Sequence, residues 1–279
     1  MGKRRDKQAR NKHRSKGGPP MADQADRHVL YEQSVQSVDT EVEFLRDTYR
    51  EIRKRPAVSL REDFCGTAAA ACEWVRTDHN HTAVGVDIDA SVLDWGREHN
   101  VGRLDSDAQL RIKLVEDDVF KVDLPPVDIA VAFNFSYWIF DTRETLRGYF
   151  ETVRRGLNDE GLFICDAFGG AEAFDEVEEE TEHDGFTYIW EQSTFDPISH
   201  DMQCYIHFTF PDGSAMKRAF SYRWRFWTLP EIRELLLEAG FSDVTFYWDR
   251  SEEDDESDYV PVERGDADPA WIAYIVATP

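Results

Sequence analysis

The chain has 279 residues, 41% of them hydrophobic, enough to bury one substantial core. Its formal charge is −24, and residues 1–20 hold eight Lys/Arg against one Asp; setting that +7 apart leaves −31 on the rest, a body that repels phosphate backbones unless the basic arm supplies the attraction. No run approaches the roughly 18 apolar residues of a membrane span, no apolar segment follows the basic start as in a secretory signal, and Cys65, Cys72, Cys165 and Cys204 form no Cys-x-x-Cys pair; a cytoplasmic protein without disulfide framework, zinc knuckle or membrane anchor is expected.

Residues 1–22, basic and rich in Gly and Pro, read as a disordered arm. Residues 23–55 read as a helical lid, with Val42, Phe44, Leu45 and Tyr49 near helical spacing between Val38 and Arg53 and Pro56 closing the segment. From residue 56 strands and helices alternate: strand Ala57–Leu60, helix Ala68–Arg76, strand Ala83–Val86, helix Ala90–Glu98, strands Ile112–Val115 and Ile129–Phe133, a helix with Leu146, Tyr149, Phe150 and Val153 on one face, and strand Gly161–Asp166. That alternation implies a mostly parallel sheet covered by helices on both faces. Residues 184–227 alternate with period two, are rich in aromatics and turn at Pro211-Asp212-Gly213, the pattern of a small antiparallel insertion. Thr228-Leu-Pro-Glu231 has capping-box form before a helix ending at Gly240, and strands Val244–Trp248 and Trp271–Ala277 follow. The acidic runs Glu176–Glu180 and Glu252–Asp258 read as solvated loops.

The chemistry concentrates in three segments. In Glu62-Asp-Phe-Cys-Gly-Thr-Ala68 a strand runs into a tight turn that opens a helix, and Asp87 ends the next strand 21 residues after Gly66. That geometry holds a nucleoside, with backbone close to the ligand at a helix start and a carboxylate on the ribose hydroxyls. The second segment is Val84-Gly-Val-Asp-Ile-Asp89 and the third Glu116-Asp-Asp-Val-Phe120.

With these segments in register, residues 57–279 resemble a class I S-adenosylmethionine-dependent methyltransferase. The resemblance implies a Rossmann-like sheet of seven strands whose last strand runs antiparallel, with S-adenosylmethionine as cofactor. It further implies that Glu62 meets the methionine amino group and that Phe64, Cys65, Gly66 and Thr67 form the backbone turn. Asp87 would take the ribose, Ile88 the adenine face, Asp118 the adenine amino group and the Val119 backbone a ring nitrogen. Phe64 and Ala68 stand where the family's loop has glycines.

Direct displacement at a sulfonium requires alignment and an unprotonated nucleophile, and no dedicated catalytic residue is demanded. Substrate candidates lie where the fourth strand ends and under the insertion. Asn134, which also counts among the expected cofactor-binding residues, and Tyr137 occupy the first and last places of an Asn-Pro-Pro-Tyr motif that lacks both prolines here, with Trp138 next to them. Arg225, in an arginine-aromatic strand, is a candidate for a substrate carboxylate, and Tyr31 for a lid contact. His79 and His81 have no partners at metal-ligand spacing, so no metal is expected. The expected activity is methyl transfer to a small soluble molecule; the alternatives are an RNA- or ribosome-directed methyltransferase recruited by the arm, and a non-catalytic module that keeps the fold.

Overall fold

A computed structural model of the chain describes residues 18–251 and 258–279. The expected arm falls outside these up to residue 17, as does most of the second acidic run. The arm is shorter than expected: Met21 already begins helix α1 (Met21–Gln24), because the Met21 amide donates to Asp212 and the Ala22 amide to Ser214 at a hairpin tip. Helix α2 (Arg27–Val35) is capped by Asp26, and α3 (Val38–Arg53) buries Val42, Leu45 and Tyr49.

Eight strands form the main sheet. In chain order they are β1 (Ser59–Asp63), β2 (Thr82–Asp87), β3 (Ile112–Glu116), β4 (Val127–Ala132), β5 (Leu157–Gly169), β10 (Asp243–Asp249), β11 (Tyr259–Val262) and β12 (Trp271–Thr278), with β6 to β9 set aside in a second sheet. The spatial order is β11-β10-β12-β5-β4-β1-β2-β3. Strands β1 to β5 pair in parallel, and β12 runs antiparallel to both β5 and β10. The eighth strand corrects the expected seven: β11, four residues containing Pro261, adds to the edge beside β10, where a proline's missing donor is tolerated.

Helices α4 (Ala69–Thr77), α5 (Ala90–His99), α6 (Ser106–Leu110), α7 (Arg143–Arg155) and α8 (Leu229–Glu238) complete the described helices longer than one turn of 3-10 structure. The apolar face of α7 is wholly buried at Leu146, Tyr149, Phe150 and Val153. Thr142 caps it, its side chain accepting from the Thr145 amide. The capping box of α8 forms as the sequence implies, with Thr228 and Glu231 bonded reciprocally.

The insertion is an antiparallel sheet of β6 (Val177–His183), β7 (Phe186–Phe195), β8 (Asp201–Thr209) and β9 (Ala215–Arg225). It therefore begins at residue 177, not 184. The run expected as a loop at Glu176–Glu180 instead supplies most of β6, in continuous register with β7. Glutamate is a poor strand former, but pairing overrides propensity, and an edge strand of exposed carboxylates resists pairing with another chain. Strand β8 buries Met202, Cys204, Ile206 and Phe208 on one face. Among the described residues no helix is long and apolar enough to cross a membrane.

Candidate active site

Strand order reverses at β1, which lies between β2 and β4, and a crevice forms outside the carboxyl ends of strands at such a point. Here a cleft of ≈570 Å³ is lined by Glu62 to Thr67 from the β1 turn, Asp87 and Asp89 after β2, Phe133 and Asn134 after β4, and Tyr31 and Gln36 from above. The turn is held by the Cys65 amide donating to the Val86 carbonyl and the Gly66 amide to Asp87 Oδ2, 2.8 Å. Phe64, at φ 56, and Ala68, at φ 58, keep the left-handed backbone that glycine adopts at no cost, so both positions are strained. Gly96 of α5 lets the turn approach: a Cβ there would stand 2.5 Å from the Thr67 carbonyl oxygen.

Glu62 is buried, accepts the Ala71 amide (2.9 Å), and is pushed up to about 8, chiefly by burial and further by Glu41, Asp87 and Asp63. The adjacent Asp63 is satisfied differently: Arg61 grips it bidentately at 2.8 and 2.7 Å, and the Tyr149 hydroxyl donates at 2.9 Å. A carboxyl pushed toward neutrality at the floor of a cleft suits a cationic ligand group, whose arrival would restore its charge. Gln36 Oε1 is likewise buried with no hydrogen-bond partner among the described residues. Cys65 is buried and its thiol pushed well up, so it lines the turn without being reactive.

Helix α2 roofs the cleft and is latched on both sides. Glu32 accepts from Thr67 Oγ1 at 2.6 Å and from Asn100 Nδ2 at 2.7 Å, and Asp26 accepts from Trp95 Nε1 at 2.7 Å. On the other side Tyr31 packs on Phe220 of β9, ring centroids 4.9 Å apart. Helix α2 thus joins the parallel sheet to the insertion.

Of the residues marked in the sequence, Glu62, Phe64, Cys65, Gly66, Thr67, Asp87, Asn134 and Tyr31 all line the cleft. Ile88, 74% exposed, lies beyond its lining at the end of β2. Asp118 and Val119 also lie outside that lining; the Asp118 carboxylate accepts from the Phe120 amide at 3.0 Å and pairs with Lys121 at 3.0 Å, while Val119 is buried. Three substrate candidates are corrected. Tyr137 is fully buried and donates to the Asp166 carbonyl at 2.8 Å, and Trp138 packs between Phe168 and Phe226: both are core. Arg225 lies over Trp227 (3.8 Å to the ring centroid), donates to the Asp141 carbonyl and pairs with Glu231 at 3.4 Å, so its charge is spent on joining β9 to α8.

A second cavity of ≈350 Å³ opens from the cleft, sharing Tyr31, Asn134 and Tyr222 with it. Its lining includes two carboxyls the sequence reading passed over, Glu41 of α3 and Asp166 of β5. Asp166 accepts the amides of Asn134 (2.8 Å) and Phe135 (2.9 Å), holding two successive residues at φ 55 and 56. Burial pushes Asp166 up to about 7, and burial with the neighbouring Asp166 pushes Glu41 up to about 8. Glu41 carried a signal: it stands on the same helical stripe as Leu45 and Tyr49, where an acid is out of place. Among the described residues no group of three or more His, Cys, Asp or Glu side chains is arranged for a metal, and His81 stacks on Trp74 at 4.1 Å.

No protein-family model matches the sequence, and no curated protein does. Solved structures match over nearly the whole chain. An S-adenosylmethionine-dependent methyltransferase from Clostridium acetobutylicum superposes with TM-score 0.65 at 15% identity, covering 90% of this chain and 96% of that one. The CcbJ methyltransferase from Streptomyces caelestis gives 0.66 at 16%, covering 87% and 96%. CalS10, an amino pentose methyltransferase from Micromonospora echinaspora involved in calicheamicin biosynthesis, gives 0.64 at 16%, covering 90% and 95%. The chain has the fold of the class I S-adenosylmethionine-dependent methyltransferases.

Proposed function

We propose that the protein is an S-adenosylmethionine-dependent methyltransferase acting on a small soluble acceptor. The observation that carries this reading is the cleft at the strand-order reversal, which gathers Glu62, the Gly66 turn and Asp87 under one lid. When bound there, the cofactor supplies an electrophilic methyl group on a positively charged sulfur. Glu62 and the unpartnered Gln36 Oε1 would receive its ammonium group, and Asp87 its ribose hydroxyls. Asp118 and Ile88, at the open end beside β2 and β3, would flank the base.

The chain's own work is to align and to dry. Helix α2 covers the cleft, and the wall of Tyr31, Asn134 and Tyr222 that the second cavity shares with it supports reading that cavity as the place of the acceptor. That second cavity is small, ≈350 Å³, which supports a small-molecule acceptor over a polymer. The similarity of fold to an amino pentose methyltransferase is in keeping with this size class. The test is incubation with methyl-labelled S-adenosylmethionine and fractionated extract: label is expected in the low-molecular-weight fraction, and label confined to RNA or protein would overturn the small-molecule assignment.

A further inference from the structure

The second cavity has a consistent chemistry. Its walls carry the rings of Tyr188, Trp190, Tyr222, Trp224, Tyr259 and Tyr274, several in mutual contact, as with Tyr222 and Trp224 at 4.6 Å and Tyr259 and Tyr274 at 4.6 Å. Among the described residues its only ionisable lining groups besides tyrosines are the carboxyls of Glu41 and Asp166, with no Lys, Arg or His. Beyond Phe135, Trp190, Tyr259 and Ile272 it continues into an outer cavity of ≈520 Å³ that again has no basic lining residue among those described and carries Glu172, Glu179 and Asp268. The basic residues Arg27, His28 and Arg218 lie on the cofactor cleft instead.

Resting on the methyltransferase reading, we propose that this aromatic cavity is the acceptor site, that the acceptor is an amine arriving as a cation through the acidic outer cavity, and that Glu41 takes its proton. Aromatic faces attract ammonium groups through the ring quadrupole, and more strongly when water is excluded. An anionic acceptor such as a carboxylate or phenolate would be repelled by both carboxyls and find no cation. Glu41 has a hydrogen bond from the Ser37 backbone, while Asp166 is already engaged by two amides. Glu41 is therefore the base with capacity to spare.

The step balances as follows. The ammonium proton passes to the Glu41 carboxylate, freeing the nitrogen lone pair. Nitrogen then forms its bond to the methyl carbon as the carbon–sulfur bond breaks, the bonding pair stays on sulfur as a neutral thioether, and the positive charge moves to the methylated nitrogen. The product is again a cation among the same rings. The groups facing Glu41 are Asp166 of β5, Glu62 of β1, Tyr31 of α2 and Tyr274 of β12, with no cation among them. Burial holds Glu41 at about 8, so its charge, and with it attraction for a cation, grows as pH rises toward that value.

The test uses choline and its neutral isostere 3,3-dimethylbutan-1-ol, titrated by calorimetry into the full chain saturated with S-adenosylhomocysteine. Choline is expected to bind at least about tenfold more tightly than the alcohol at about pH 8.5. Glu41→Gln is expected to remove most of that preference while changing S-adenosylhomocysteine affinity less than about threefold. Equal binding of the two probes, no choline binding to the saturated protein, or an unchanged preference in Glu41→Gln would each overturn the proposal. Failure of S-adenosylhomocysteine itself to bind would instead overturn the methyltransferase reading. The choline and alcohol comparison needs no variant, so it stands even if Glu41→Gln does not fold.

Discussion

Replacing Glu62 with Gln should flatten the pH dependence of stability by an amount the structure sets. The ordinary value of this carboxyl is 4.5, and in the fold it rises to about 8 because burial disfavours the charge. Its folded value lies above its unfolded one, so its contribution to stability is complete below about pH 4.5 and is lost as pH rises toward 8. Across that window the folded chain holds one proton that the unfolded chain has released, a slope of about 1.4 kcal/mol per pH unit and at most about 5 kcal/mol in total. Glu41, at about 8, and Asp166, at about 7, act in the same direction. Urea unfolding at several pH values from about 5.5 to 7.5 should therefore show wild-type stability falling with pH, and Glu62→Gln falling less steeply by about 1.4 kcal/mol per unit. The glutamine oxygen can still accept the Ala71 amide, so the comparison isolates the charge. Parallel lines for the two proteins would refute the account of Glu62 as a buried carboxyl without a cation. Saturation with S-adenosylhomocysteine, whose ammonium group would pair with Glu62, should release protons between about pH 6 and 8, read by calorimetry in buffers of different ionisation enthalpy.

Two further outcomes concern the lid and the floor of the cleft. Glu32→Ala removes the acceptor for Thr67 and Asn100; at a part-buried site this should cost about 1–2 kcal/mol and speed S-adenosylhomocysteine dissociation about 5–30-fold, with Glu32→Gln restoring most of it, and an unchanged off-rate would mean that the lid is not latched there. Arg61→Leu leaves Asp63 buried without its bidentate partner and should destabilise the fold by about 3–5 kcal/mol in urea titrations, whereas a loss under about 1 kcal/mol would show Asp63 to be held chiefly by Tyr149.

That Glu62 to Thr67 and Asp87 line one cleft was legible because the cleft is built from contiguous motifs. Glu62 to Thr67 is one strand and turn, and Asp87 follows at a spacing set by a helix and a strand, so a one-dimensional pattern carries a three-dimensional arrangement. The second cavity has no such pattern. Glu41, Asp166, Tyr222, Tyr259 and Tyr274 come singly from α3, β5, β9, β11 and β12, and only the closed fold brings them together. Tyr137 and Trp138 misled for the opposite reason: they sit next to the strand end that faces the site, but the two left-handed residues before them turn the chain so that both side chains enter the core. Arg225 had the right strand and the wrong direction, since its β9 position is taken up by Trp227 and Glu231. Strand β6 escaped because edge strands are specified by pairing rather than by residue preference.

The most direct test of the account is calorimetric titration of S-adenosylhomocysteine into the full chain and into Asp87→Ala. Asp87 both accepts the Gly66 amide and faces the cleft, so its loss would remove the carboxylate proposed for the ribose and loosen the turn together. Saturable binding by the wild type, weakened by at least about 100-fold in Asp87→Ala, is the predicted result. Equal affinity in the two proteins, or no binding by either, would contradict the assignment of this cleft to the cofactor.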